Sequence, residues 1–211
     1  MKKANISLTI LMALGLAGTV LAQQTSSTQT NVGTMSMEDL RQKNQQGSEA
    51  VAAVKPTSAP LSDADKALMM EVAKGGMMQL EVSRLASGKT TNDAVRMLAQ
   101  AEVDEQTGLS AKLGELAAAK GVTLPTTPDA DTQSMLSRMQ ALSGADFDRM
   151  YVQESGVNGH RRLDEVMENV RKNAKDNSLK DLAKAAHPLV KTHLKVSQDM
   201  MQGMRSRMGN R

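Results

Sequence analysis

The sequence predicts an all-α protein in which four long helices form an up-down bundle. Apolar residues recur at helical three- and four-residue spacing from residue 62 onward. No stretch shows the period-two alternation of β-branched or aromatic residues that is typical of a half-buried strand. Short links separate the periodic segments, so neighbouring helices are expected to run antiparallel, with a short extra helix between the second and third long ones.

Residues 1–22 have the pattern of a secretory signal peptide. Lys2 and Lys3 precede an apolar run over residues 6–21, and Val20-Leu21-Ala22 forms the expected cleavage site. The apolar run is shorter than the roughly 20 residues that span a bilayer. We therefore expect cleavage near Ala22, no transmembrane segment after cleavage, and a mature protein that is periplasmic or secreted.

Residues 23–60 are predicted to form a disordered leader. They are rich in Gln, Ser, Thr, Ala and Gly and show no sustained apolar period. The apolar surface available there is too small to offset the entropy lost on ordering. A single helical turn over residues 36–43, starting at Ser36, would be marginal by itself.

The helical bundle is predicted over residues 61–205. Ser62 fits the N-cap of the first long helix, which Gly88 ends, and Thr91 or Asn92 begins the second. The five predicted helices cover residues 62–87, 92–120, 130–142, 146–173 and 178 to beyond 200. Residues 206–211 are expected to be a frayed tail.

The composition excludes several classes of function. The chain has no cysteine, which removes thiolate metal sites, thiol nucleophiles and disulfides. Phe147 and Tyr151 are its only aromatic residues, so we expect neither nucleic acid nor carbohydrate as a partner. The net charge of +3 includes Lys2 and Lys3 and gives no reason to expect an anionic partner. A protein or a metal ion remains as the partner, and the oligomeric state is left open.

Each long helix carries an acid or a histidine on or beside its inward face. The candidates are Glu81 in the first helix, Glu102 and Glu105 in the second, His160 in the third and His193 in the fourth. Side chains at equal height converge in a bundle, and carboxylates and imidazoles from facing helices are typical metal ligands. The five residues are therefore candidate ligands of a divalent ion such as Zn²⁺, Mn²⁺ or Fe²⁺. A buried ion pair without metal, or positions at the rim, would give the same pattern.

The inward stripe of the first helix is the basis for including Glu81. This stripe is predicted to consist of Met70, Ala73, Met77 and Leu80. Glu81 lies at its edge, so its carboxylate would reach the interior only from the side. The stripes of the other three helices contain their candidate ligands directly.

Several short segments together form a recognisable pattern. They are Gly75-Gly76 with Leu80-Glu81 and Leu85-Ala86, Val103-Asp104-Glu105, residues 120–125, Phe147-Asp148-Arg149 with Tyr151, His160, Pro188 and His193-Leu194. The pattern resembles a family of exported, ferritin-like proteins, predicted to be periplasmic or in the outer membrane, that carries only a domain-of-unknown-function label. The resemblance covers about residues 63–201. It implies a ferritin-like four-helix bundle and no established activity.

Two departures from that family limit the chemistry expected. Family members usually carry Asp-His where this chain has Glu105-Gln106, so an amide replaces an imidazole. Val157 and Val190 precede the two candidate histidines by three residues, where di-iron carboxylate proteins carry glutamate. The sequence therefore favours a single ion over a di-iron oxidase centre.

The 17 methionines have three interpretations. They fill the core of a protein almost without aromatics, bind Cu⁺ through thioethers, or line a groove for a partner. The spacing of the pairs at 69–70, 77–78 and 200–201 favours core filling.

The favoured function is a non-enzymatic binding or stress-related protein that acts through its helical surface. A metal-binding protein with buried Glu and His residues is the alternative. The chain contains no nucleophile-and-base arrangement, no phosphate-binding glycine loop and no His-Glu-x-x-His motif. No catalytic or organic-cofactor residues are predicted.

Overall fold

The computed structural model describes residues 31–209, and within that range the protein is all-α. Its helices are α1 (Met37–Ala52), α2 (Asp63–Lys89), α3 (Asp93–Ala119), α4 (Ala130–Gln140), α5 (Gly144–Tyr151), α6 (His160–Asn173) and α7 (Asn177–Gly209). A π-helical segment, Val152–Gly159, joins α5 to α6, and two short antiparallel strands, β1 (Asn31–Val32) and β2 (Met35–Ser36), precede α1. The predicted signal peptide and residues 23–30 of the leader lie outside the described residues. None of the helices within residues 31–209 combines the length and the apolarity needed to cross a bilayer.

Side-chain caps begin several helices at the places that the sequence predicts. Ser62 Oγ accepts the backbone N–H of Asp65 at 3.1 Å and begins α2, and Asn92 Oδ1 does the same for Val95 at 3.2 Å in α3. These bonds satisfy backbone donors that have no partner within the first turn. The predicted starts of α2 and α3 are confirmed, and α2 ends at Lys89, one residue beyond Gly88.

The segment predicted as a disordered leader is ordered from Asn31 onward. Ser36 Oγ accepts the N–H of Asp39 at 3.1 Å and caps α1. The helix lies against α3 and α7 and buries Leu40, Asn44 and Val51. With so few inward apolar positions α1 has no strong periodic signal, and the tertiary contacts rather than local propensity stabilise it.

Two other boundaries also differ from expectation. α7 continues to Gly209 instead of fraying from residue 206, although residues 205–209 are exposed. The third long helix, predicted as a uniform α-helix over residues 146–173, begins at Gly144 and contains the π-helical segment. Residues 210 and 211 lie outside the described range.

α2 presents a different face to the interior than the one predicted. The stripe Met70, Ala73, Met77 and Leu80 is only half-buried. The buried positions lie one residue earlier and include Met69, Val72, Gly76, Gln79 and Ser83. Adjacent methionines occur on both stripes, so apolar periodicity does not distinguish them, and the polar Gln79 and Ser83 make the true interior stripe look like a surface.

The core consists of two apolar clusters separated by a polar layer. α2 packs on α3 and α6, and α7 packs on α6 and α3. One cluster includes Met69, Val72, Leu109, Leu113, Leu163, Met167 and Val190. The other includes Leu98, Met139, Phe147, Tyr151, Val196, Met200 and Met201. Several methionines thus fill the core as predicted, and the layer between the clusters holds the buried charged residues.

Candidate metal centre

Four of the five predicted ligand residues meet in the polar layer. Glu102 and Glu105 lie one turn apart on α3, His160 is the first residue of α6, and His193 lies in the middle of α7. All four are buried, with no side chain more than 4% exposed. One ligand atom from each lies within 4.8 Å of those from the other three.

The Glu102 carboxylate lies at the centre of this cluster. Its Oε1 is 2.9 Å from His160 Nε2 and 2.9 Å from His193 Nδ1. The same His193 nitrogen lies 2.8 Å from Glu105 Oε2. One oxygen therefore faces two nitrogens, and one nitrogen faces two oxygens.

These atoms face only one another. Among the described residues, Glu102 Oε1, Glu105 Oε2 and His193 Nδ1 are buried and have no hydrogen-bond partner outside the cluster. Buried polar atoms without partners are costly, and such atoms need a partner or an ion. Neighbouring ligands of one ion are about 3 Å apart when metal–ligand bonds are about 2.0–2.2 Å. The cluster has the donor types of a coordination shell, and three of its ligand-atom pairs have this spacing.

Both histidines direct one nitrogen into the cluster and the other towards a hydrogen-bond acceptor. His160 Nδ1 lies 3.1 Å from the carbonyl oxygens of Ser155 and Gly156. His193 Nε2 lies 2.6 Å from Asn44 Oδ1. In metal-binding histidines the N–H opposite the ion is held as His193 Nε2 is held here, which fixes the tautomer and the ring orientation. His160 Nδ1 also lies 2.6 Å from the side-chain nitrogen of Gln79.

The π-helical segment brings α6 close to its neighbours beside His160. A Cβ at Gly156 would lie 2.6 Å from Ser197 Oγ on α7, and a Cβ at Gly159 would lie 2.7 Å from Gln79 Oε1 on α2. Only glycine allows these approaches without a shift of the neighbouring side chains. Each glycine lowers the stability of a helix by about 1 kcal/mol relative to alanine. The close packing that Gly156 and Gly159 allow around the site offsets this loss.

Opposite charges dominate the electrostatics of the cluster. Burial raises the pKa of Glu102, but the charges of His160 and His193 lower it to about 2. Burial lowers the pKa of His193, but Glu102 and Glu105 raise it to about 10. The same balance between burial and Glu102 raises the pKa of His160. In the metal-free protein the carboxylates are therefore paired with protonated imidazoles, whose protons an incoming ion must displace.

The sequence interpretation missed the polar residues that surround the ligands. The Gln79 side-chain amide lies 2.6 Å from His160 Nδ1, and its Oε1 accepts the hydroxyl of Ser155 at 2.7 Å. Farther out, Tyr151 hydrogen-bonds Ser83 at 3.1 Å, and burial followed by the charge of Glu102 raises the pKa of its phenol. One signal in the sequence could have indicated that Gln79 and Ser83 are buried. Both lie three or four residues from apolar positions of α2 that are themselves buried, such as Val82 and Ala86.

Three candidate or neighbouring groups lie outside the ligand set. Glu81 is half-buried on the outer side of α2 and pairs with Arg84 at 2.7 Å, so the structure does not bring it to the other four ligands. His187, the third histidine, lies 2.6 Å from Asp164 instead. Gln106 donates to Glu105 Oε1 at 3.3 Å and is not among the four clustered ligand residues.

A family model described as a domain of unknown function, DUF4142, matches residues 50–200. The chain belongs to this family. All four clustered residues lie inside the DUF4142 match, whereas most of α1, including Asn44, precedes it. No curated protein and no solved structure matches the chain.

Proposed function

We propose that this protein binds one divalent transition-metal ion through Glu102, Glu105, His160 and His193. The observation that carries the proposal is the convergence of four buried ligand atoms within 4.8 Å, three of which have no hydrogen-bond partner outside the cluster in the described part of the chain. Two carboxylates and two neutral imidazoles carry a charge of −2, which a divalent cation neutralises. The ion would link α3, α6 and α7 in place of two imidazole protons.

The donor set favours an ion of intermediate softness. Imidazole suits Zn²⁺ and Fe²⁺, carboxylate suits Mn²⁺ as well, and the chain has no thiolate that would select a softer ion. A di-iron centre needs further carboxylates from the remaining helices. At the corresponding height α2 supplies the amide of Gln79. The ligand set therefore supports one ion.

The scaffold and the location belong to the same proposal. A ferritin-like four-helix bundle places such ligands on facing helices at mid-height, and the polar layer between two apolar clusters fits that arrangement. The signal-peptide pattern of residues 1–22 supports export to the periplasm. We infer a non-enzymatic binding or stress-related role. In it, the bound ion stabilises the exported domain, or the domain stores the ion.

The test is metal analysis followed by thermal denaturation. Untagged protein purified from the periplasm should contain close to one equivalent of metal by mass spectrometry. After chelation, added Zn²⁺, Mn²⁺ or Fe²⁺ should raise the melting temperature, because a ligand that binds only the folded state stabilises it. His160→Ala and His193→Ala should abolish most of this increase.

The third histidine provides the matched control. His187→Ala should leave the metal-dependent increase intact, because His187 pairs with Asp164 away from the cluster. An increase that survives in His160→Ala and His193→Ala would place the ion elsewhere. No increase with any of the three ions would leave a metal-free ion-pair network and refute the proposed function.

A further inference from the structure

Helix α1 contributes a residue that completes the cluster from outside the helices that supply the ligands. Asn44 is buried at the contact of α1 with α3 and α7. Its Oδ1 lies 2.6 Å from His193 Nε2, and its Nδ2 donates to the carbonyl oxygen of Ala101 at 2.7 Å. One side chain therefore joins the backbone of the glutamate-bearing helix to a histidine ligand.

The backbone contact determines which way the Asn44 amide points. A carbonyl oxygen such as that of Ala101 can only accept, so the NH₂ group must face it. The amide oxygen is then left to face His193, and Nε2 must carry the proton that it accepts. His193 Nδ1 is consequently the nitrogen that faces Glu102 and Glu105.

The packing of α1 holds this side chain in place. Leu40 and Val51 are buried on either side of Asn44. A Cβ at Gly47 would lie 2.6 Å from Leu189 Cδ2, so α1 and α7 approach one another closely one turn from the amide. Such a contact leaves the amide little freedom to rotate away from the histidine ring.

We propose that Asn44 is a positioning residue of the metal site, acting through His193. The inference rests on the proposed metal function and adds that the site needs α1, which for the most part precedes the DUF4142 match. Without the Asn44 oxygen, His193 would lose the acceptor that fixes its tautomer, and its Nε2–H would be buried without a partner. Loss of a partner of this kind weakens metal affinity about 10- to 100-fold.

The test compares Zn²⁺ affinity, by competition with a chromophoric chelator, in two variants of similar size. Asn44→Leu removes both hydrogen bonds, and its dissociation constant should rise about 10- to 100-fold. Asn44→Asp loses the donor to Ala101 but keeps an acceptor for Nε2–H, so its dissociation constant should stay well below that of Asn44→Leu. Equal affinity of Asn44→Leu and wild type would overturn the inference while the proposed function stands. Failure of the wild type to bind any of Zn²⁺, Mn²⁺ and Fe²⁺ would refute the function itself.

An engineered disulfide between α1 and α7 distinguishes the effect of the Asn44 hydrogen bond from the effect of α1 docking. The chain has no cysteine that could form a competing disulfide. A Cβ at Gly47 would lie 3.2 Å from Leu189 Cβ, just below the Cβ–Cβ range of about 3.5–4.5 Å in disulfides. In oxidised Gly47→Cys/Leu189→Cys protein α1 stays docked, and Asn44→Leu should still weaken binding as much. Full recovery of affinity in the disulfide-linked variant would show that only helix docking matters and would overturn the role of Asn44.

Nitrogen-15 NMR gives a readout that does not require metal. The ring N–H of His193 should be protected from solvent exchange in the metal-free wild type and in Asn44→Asp, because its proton is held by an acceptor. Asn44→Leu should shift this resonance and speed its exchange. An unchanged His193 ring spectrum in Asn44→Leu would overturn the inference, whatever the metal affinities.

Discussion

The metal-free and metal-loaded proteins should respond to pH in opposite directions. Burial lowers the pKa of His193, but Glu102 and Glu105 raise it to about 10. A raised pKa contributes stability that is fully present below the ordinary value and is lost as pH rises through the folded-state value. Metal-free protein should therefore lose stability above about pH 6.5. Metal binding needs unprotonated nitrogens, so the affinity for the ion should rise over the same range.

The magnitude follows from the size of the shift. Each unit is worth about 1.4 kcal/mol, so raising the pKa of His193 from 6.5 to about 10 corresponds to about 5 kcal/mol. Between these pH values the metal-free protein should lose about 1.4 kcal/mol per pH unit from this group. Metal affinity should gain about tenfold per pH unit for every proton released. His160, whose pKa is also raised despite burial because of Glu102, supplies a second proton over part of the range.

Titration calorimetry measures the released protons directly. Zn²⁺ is added to chelator-treated protein at about pH 6.5 and about pH 7.5, in buffers that differ in ionisation enthalpy. We expect about one to two protons released per ion, and a dissociation constant about 10- to 100-fold smaller at the higher pH. Urea denaturation of the metal-free protein at the same pH values should show the opposite trend.

Two variants identify the source of the protons. His187→Ala should release as many as the wild type, and His193→Ala should release fewer and bind weakly. Tight binding without proton release would show that both imidazoles are neutral before the ion arrives. The ion-pair description of the metal-free cluster would then be refuted.

Three further predictions concern coupling, packing and export. His160→Ala and His193→Ala should each lower the melting temperature but not additively, since they share one carboxylate; additive losses in a double-mutant cycle would contradict the shared network. Gly156→Ala should lower the free energy of unfolding in urea by about 1–3 kcal/mol, because its Cβ would lie 2.6 Å from a hydroxyl on α7. Gly108→Ala, where the added Cβ would meet no described atom within 4 Å apart from its chain neighbours and the backbone of its own helix, should raise it by about 0.5–1 kcal/mol. Amino-terminal sequencing of exported protein should begin within a residue or two of Gln23, and a retained initiator methionine would contradict the signal peptide.

The long helices can be predicted from the sequence because local signals mark them. Ser62 and Asn92 cap α2 and α3 through bonds within three residues, which the sequence shows directly. α1 has such a cap as well, at Ser36, but little apolar periodicity behind it. What orders α1 is contact with α3 and α7, and no local pattern encodes that contact.

In the candidate site, too, the residues marked by a local pattern can be predicted from the sequence, and those that depend on contacts between helices cannot. Glu102, Glu105, His160 and His193 interrupt apolar stripes, and this is visible in the sequence because each stripe is otherwise unambiguous. Glu81 is among the predicted ligands because the predicted stripe of α2 is the more apolar of two neighbouring stripes, whereas the stripe that is buried contains the polar Gln79 and Ser83. The surrounding polar groups depend on which residues meet across helices, which a single sequence does not reveal.

The π-helical segment restricts how the length of this chain can vary. A π turn contains one residue more than an α turn, and the buried positions Tyr151, Gly156 and His160 are accordingly separated by five and then four residues. Deleting one residue from 152–159 would restore an α-helix and rotate all that follows by about 100°. Either the Tyr151 phenol or the His160 imidazole would then leave the interior. Insertions and deletions should therefore accumulate in the links around α4, and this helical stretch should keep a constant length among functional relatives.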